Sequence, residues 1–279
     1  MKKNASLWKS INLELREHKS SFIVYILLRV IVIACMILQI FNGNYQNVFL
    51  CILTLILLVM PSLIQLKLKI EFPSTLEIIT LLFIFAAEIL GEIGEYYIKY
   101  DNWDTILHTM NGFLMAAIGF SLMDILNRED KLKFQLSPLF MSIVAFCFSM
   151  TVGVVWEFFE YGMDTFFCLD MQKDTIVNNI STVMLDPTGG NTPALLKNIT
   201  EVTVNGQDLA LGGYLDIGLH DTMFDLWVNF IGAVVFSVIG YFYIKYKGNH
   251  KFAKRFIPRL KYKHEDYTEI TKTSNNLSK

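Results

Sequence analysis

Residues 137–161 read SPLFMSIVAFCFSMTVGVVWEFFEY. No charged side chain interrupts the stretch between Leu139 and Val155, and carboxylates appear only at its end, as Glu157 and Glu160. A helix needs about 20 mainly apolar residues to cross a bilayer. This segment has that length, and Ser137-Pro138 opens it with proline in the first turn, where its missing N–H is harmless.

Five more segments qualify on the same ground: Phe22–Phe41, Val48–Leu66, Thr75–Tyr97, Asp104–Leu126 and Thr222–Ile244. The chain of 279 residues is 53% hydrophobic and 18% charged, with mean hydropathy +0.41. Soluble domains carry about a quarter charged residues. The sequence therefore predicts an all-α, polytopic transmembrane helical bundle of six spans. Asn42-Gly43-Asn44 is a turn between the first two spans. Ser74-Thr75-Leu76-Glu77 after Pro73 reads as a capping box for the third, with Glu77 as part of the cap. Gly112, Gly119, Gly153 and Gly232 suit close helix packing. The net charge of −2 gives no global field for nucleic acid. Cys35, Cys51 and Cys147 fall in apolar runs, so a disulfide framework is not expected.

Lys and Arg set the orientation. They crowd the segment before the first span, the second and fourth connections, and the tail from Lys245 onward, while the other connections hold only Lys99, Lys173 and Lys197. Both termini are then cytoplasmic. The domains read as a cytoplasmic segment 1–21, a membrane domain 22–246 and a basic, then polar, cytoplasmic tail 247–279, disordered after Lys263. The connection 162–221 lies outside and is too long for an idle loop. Within it, Asp174–Leu185 reads as an amphipathic helix on the membrane. Thr200–Leu211 reads as a hairpin around Asn205-Gly206. Gly212, Gly213 and Gly218 return the chain to the last span.

Ionisable groups inside a membrane are costly and mark function. Here four spans deliver them to one side. The third carries Glu88, Glu92 and Glu95; the fourth Asp104 and His108; the fifth Glu157, Glu160 and Asp164; the last Asp221, Asp225 and Asn229. Spacings of three and four put each set along one helix face. Such faces are expected to turn toward one another rather than to lipid. Crowded carboxylates cannot all be ionised in a low dielectric, so either several hold protons or a cation sits among them. Carboxylates with imidazole suit Mg²⁺, Mn²⁺, Fe²⁺ or Zn²⁺. His108, Asp104, Glu157, Glu160, Asp221 and Asp225 are the candidate ligands, Asp104, His108, Glu157, Glu160 and Asp225 the candidate catalytic groups, and Glu88, Glu92 and Asn229 their supports. Each has a plainer reading too. Asp104 and Asp221 sit where acids cap helices, and Glu95, Asp164 and His220 border water. Arg29 would snorkel toward the cytoplasm.

Trp103-Asp104-x3-His108-x3-Gly112, Trp156-Glu157-x2-Glu160 and Asp221-x3-Asp225-x3-Asn229-x2-Gly232 resemble the pattern of VanZ-like membrane proteins, and more closely their uncharacterised YjdF-type branch. Gly212–Gly218 adds to the likeness, which covers roughly residues 75–245. The resemblance implies an integral membrane protein of a bacterial plasma membrane. Some VanZ-like proteins are associated with lowered susceptibility to glycopeptide antibiotics, but no settled chemistry comes with the family. Glu160 stands where the family often has Gln, and the long outer segment is a second departure. Three functions remain open. One is a metal-dependent enzyme acting on a lipid or lipid-linked envelope precursor. Another is a proton- or cation-coupled transporter. The third is a non-catalytic envelope factor that binds a partner or a lipid head group.

Overall fold

The computed structural model describes residues 2–128, 136–246 and 253–261. It is mainly helical, and the chain divides into two compact units, 1–151 with 228–279, and 152–227. The expected disorder after Lys263 lies outside the described residues.

The first unit opens with α1 (Lys2–Leu15) and α2 (Lys19–Phe41). Asn42 and Gly43 turn the chain, and the Asn44 side chain caps α3 (Tyr45–Leu57) by accepting the Asn47 N–H at 3.1 Å. After a break at Leu58–Val59, α4 (Met60–Leu68) begins with Pro61 in its first turn. A left-handed Lys69 leads to β1 (Ile70–Glu71) and then to α5 (Ser74–Phe85). The next residues, Ala86–Ile93, continue as a π-helix, closed by the Gly94 N–H on the Ile89 carbonyl at 2.8 Å. The short α6 (Tyr96–Lys99) and the long α7 (Trp103–Arg128) follow. The long helices α8 (Pro138–Phe167) and α9 (Leu219–Lys245) begin or end in this unit, and β8 (Arg259–Leu260) completes it.

Among the described residues, five helices are long and apolar enough to cross a membrane: Lys19–Phe41, Tyr45–Leu68, Trp103–Asn127, Pro138–Phe167 and Leu219–Lys245. Many of their large apolar side chains are exposed, Ile23, Leu27, Leu38, Phe158 and Ile231 among them. Lipid accepts such a surface and water does not. The segment expected as a third span is helical too, but divided between α5 and the π-helix.

Two apolar clusters hold the unit together. One gathers Ile11, Tyr25, Leu28, Val32, Cys51, Leu58 and Leu81, and the other Phe72, Leu76, Phe120, Met141, Phe236, Phe256 and Ile257. A Cβ on Gly112 would lie 2.1 Å from the Asn229 carbonyl oxygen, and one on Gly232 2.1 Å from that of Thr109. α7 and α9 thus touch backbone to backbone, as small residues permit. Gly119 instead makes room for the Phe148 side chain, whose Cβ would lie 2.8 Å from an added Cβ.

The capping box does not form. No side chain caps α5, and buried Glu77 accepts a hydrogen bond from Gln65 Nε2 at 3.4 Å, while Gln65 Oε1 takes the Phe72 N–H at 2.7 Å. The tail is also more than a solvated appendage. β8 pairs antiparallel with β1, Glu71 opposite Arg259, and those two side chains form an ion pair. His18 Nε2 approaches Glu71 at 3.3 Å. Lys261 reaches Glu14 on α1, with both side chains buried. Phe256 and Ile257 enter the core.

In the second unit β2 (Thr175–Val177) pairs with β7 (Tyr214–Asp216), β3 (Ile180–Thr182) with β4 (Ala194–Leu196), and β5 (Thr203–Val204) with β6 (Gln207–Asp208). The hairpin at Asn205-Gly206 is present, both residues having positive φ. The expected helix over Asp174–Leu185 is not. Two strands and a 3₁₀ turn replace it, since β-branched Thr175, Ile176, Val177, Ile180 and Thr182 favour strands and Asn178-Asn179 separates them. Asp164 is not merely solvated either. Its oxygens accept the Met171 N–H at 2.6 Å and the Gln172 N–H at 2.8 Å, folding the chain back after α8.

Two expectations follow. Burial lifts the Glu14 carboxyl from 4.5 to about 7, against the pull of Lys261. The folded chain then holds this proton more tightly than the unfolded chain. The contribution to stability is complete below about pH 4.5 and is lost as pH rises through about 7, on the order of 3 kcal/mol. Thermal unfolding in detergent is expected to show E14Q flattening the fall in stability between about pH 5 and about pH 8, and K261M steepening it. D164N halves the acceptor set for Met171 and Gln172, a loss of about 1–3 kcal/mol. Tryptic cleavage at Lys173 in nanodiscs is expected to accelerate.

Candidate functional site

The helix period places Glu157 and Glu160 on one face of α8, and both are buried, at 4% and 7% exposure. Asp225, on α9 in the same unit, is 2% exposed. One carboxylate oxygen from each of the three lies within 4.8 Å of the others. Trp156, beside Glu157 in the motif that carries the resemblance, donates its indole N–H to Glu160 Oε1 at 2.8 Å. The signal was its i,i+4 spacing from Glu160.

At such separations, ionised carboxylates repel by about 3 kcal/mol per pair at an effective dielectric of 20. Three charges together therefore require protons or a cation. Oxygens up to 4.8 Å apart can share one ion, because hard divalent cations bind oxygen at about 2.0–2.6 Å.

Asp104 and His108 belong to the first unit, on the first two turns of α7, where His108 Nε2 lies 3.5 Å from Asp104 Oδ1. Asn229 is fully buried there. It accepts from Asn111 Nδ2 at 3.2 Å and contacts Met150 Sδ at 3.6 Å, so it joins α7, α8 and α9. Ser149 donates to the Gly112 carbonyl at 2.7 Å beside it. Asp221 accepts the Lys173 N–H at 2.7 Å, which gives it a role in holding the connection after α8. Glu88 lies half-buried in the π-helix and Glu92 is exposed. Glu95 is exposed, in a left-handed conformation, and pairs with Lys99 at 3.1 Å. His220 is exposed, and Arg29 donates to Tyr25 Oη one turn nearer the helix start, the direction expected of snorkelling.

Sequence reasoning missed the polar set formed by Glu14, His18, Glu71, Arg259 and Lys261. Its members come from distant parts of the chain, and no local spacing announces their meeting.

Neither a curated protein nor a solved structure is significantly similar to this chain. Residues 23–246 match one family, from the first apolar helix to the end of α9, and by that match the chain belongs to the family described as Predicted membrane protein (DUF2238).

Proposed function

We propose that this membrane protein holds a hard divalent cation, Mg²⁺ or Mn²⁺, on Glu157, Glu160 and Asp225 and uses it on a lipid or lipid-linked envelope substrate. The observation that carries the reading is the carboxylate triad, buried and mutually within 4.8 Å. An all-oxygen donor set favours Mg²⁺ or Mn²⁺ over Zn²⁺. The cation would polarise a phosphoryl or carbonyl oxygen of the substrate, and a carboxylate beside it would take a proton from water.

The wider setting belongs to the same proposal. The Lys and Arg alternation supports six spans with both termini in the cytoplasm of a bacterial cell, and so a site in the outer half of the plasma membrane. Ser74–Ile93 supplies the sixth crossing, since a π-turn keeps the backbone hydrogen-bonded while breaking the regular α-helix. The VanZ-like and YjdF-type resemblance is consistent with an envelope role.

Metal analysis and thermal unfolding of purified protein test the site. Wild type is expected to carry stoichiometric metal and to lose stability on chelation. Restored cation at a hundredfold excess over Kd returns about 2.7 kcal/mol. E157Q is expected to bind no metal and, with one negative charge fewer, to be more stable than metal-free wild type. Equal metal content and equal chelator response in the two proteins would sink the reading.

Proton transport is the second reading. The observation favouring it is the pair of buried carboxyls Glu14 and Glu77 in the first unit, the second held by a hydrogen bond from Gln65 near the second connection. Proton flux into proteoliposomes that E77Q abolishes, with equal metal content and chelator response in wild type and E157Q, would select it.

A further inference from the structure

We propose that the outward face of α1 is a docking surface for the phosphate headgroups of anionic phospholipids. α1 has two unlike faces. Ser10, Ile11, Glu14 and Leu15 are buried, with Ile11 and Leu15 in an apolar cluster that includes Leu66 of α4. Lys9, Asn12 and Arg16 form the opposite stripe at i, i+3 and i+7, exposed beside Trp8, which is 62% exposed. With Leu13 these residues line a shallow depression of about 410 Å³. Among the described residues, two cations and no acid line it.

Chain geometry fixes where this face sits. Only Arg16, Glu17 and His18 separate α1 from α2, the first membrane-crossing helix. Three residues reach about 10 Å at most. The Arg16 guanidinium also lies over the Phe22 ring, 5.8 Å from its centre, in the first turn of α2. α1 is thereby held at the level where lipid phosphates lie. A tryptophan with basic neighbours is the composition that settles there. The charge complement of the two cations is an anionic headgroup, and each basic residue near such a surface favours it by roughly fivefold. A soluble protein partner would need no such tether, so the lipid is the better occupant.

The test uses the full chain in nanodiscs made with either brominated phosphatidylglycerol or brominated phosphatidylcholine. The fluorescence difference between wild type and W8F isolates Trp8. The expected result is stronger quenching of Trp8 by phosphatidylglycerol, weakened by added salt. K9Q/R16Q is expected to reduce the preference by roughly tenfold or more, and K9Q alone, whose side chain is exposed and holds no part of α1 in place, by roughly fivefold with thermal stability in detergent unchanged. Equal quenching by the two lipids would overturn the proposal. So would a preference that survives K9Q/R16Q. Absence of quenching by either lipid would also overturn it, by showing that the face is turned to a protein or to water.

Discussion

Backbone hydrogen bonding in hydrocarbon is the constraint from which the rest of this molecule follows. A span has no water to satisfy its N–H and C=O groups, so it must be helical throughout. That requirement fixes side-chain positions at 3.6 residues per turn, whatever the side chains are. Acids three or four residues apart then share a face, and a face lined with acids leaves lipid for another helix. Glu157 and Glu160 on α8 meet Asp225 of α9 for this reason. Strands occur in the connection between those helices and at the β1–β8 pairing, outside the five long apolar helices.

Burial of acids is handled differently in the two units. In the first, the tail delivers cations to acids: Lys261 to Glu14, and Arg259 to Glu71. The antiparallel β1–β8 register and the burial of Phe256 and Ile257 hold those cations in place. Such pairs add little stability over an apolar core, but losing one partner is costly. In the second unit the acids of α8 are brought against a third acid. That arrangement costs energy unless something positive is shared among them, and selection for packing alone gives no reason to build it.

The sequence carries the helices plainly because lipid imposes a long apolar run, and the turns at Asn42-Gly43-Asn44 and Asn205-Gly206 plainly because left-handed backbone selects those residues. The carboxylate pair on α8 was legible from its spacing, and so was Asp225 as a candidate to face it. Other features were hidden for physical reasons. Ile176, Ile180 and Val183 sit at helical intervals, so a 3.6-residue period fits them, and the choice of strand depends on pairing with β7 far along the chain. Glu77 satisfies the local pattern of a capping box, but Gln65 competes for it from another helix. Docking of β8 on β1 joins distant segments that no window of sequence spans together.

The stripe Asp221, Asp225, Asn229 on α9 shows how one periodic pattern acquires three chemistries. Each step of four residues descends about 6 Å along the helix. At the first step Asp221 takes a backbone N–H from Lys173, the use expected of an acid at a helix start. At the next, Asp225 meets two other carboxylates. One step further Asn229 is fully buried and neutral, paired with Asn111 beside the close approach of α7. The fully buried end of the stripe carries the neutral residue, as desolvation favours. Asp225 goes against that preference, because an amide there would have met the polar needs of a buried seam without adding a third negative group. A third carboxylate at that position costs energy that packing alone does not repay, and the proposed cation would offset it.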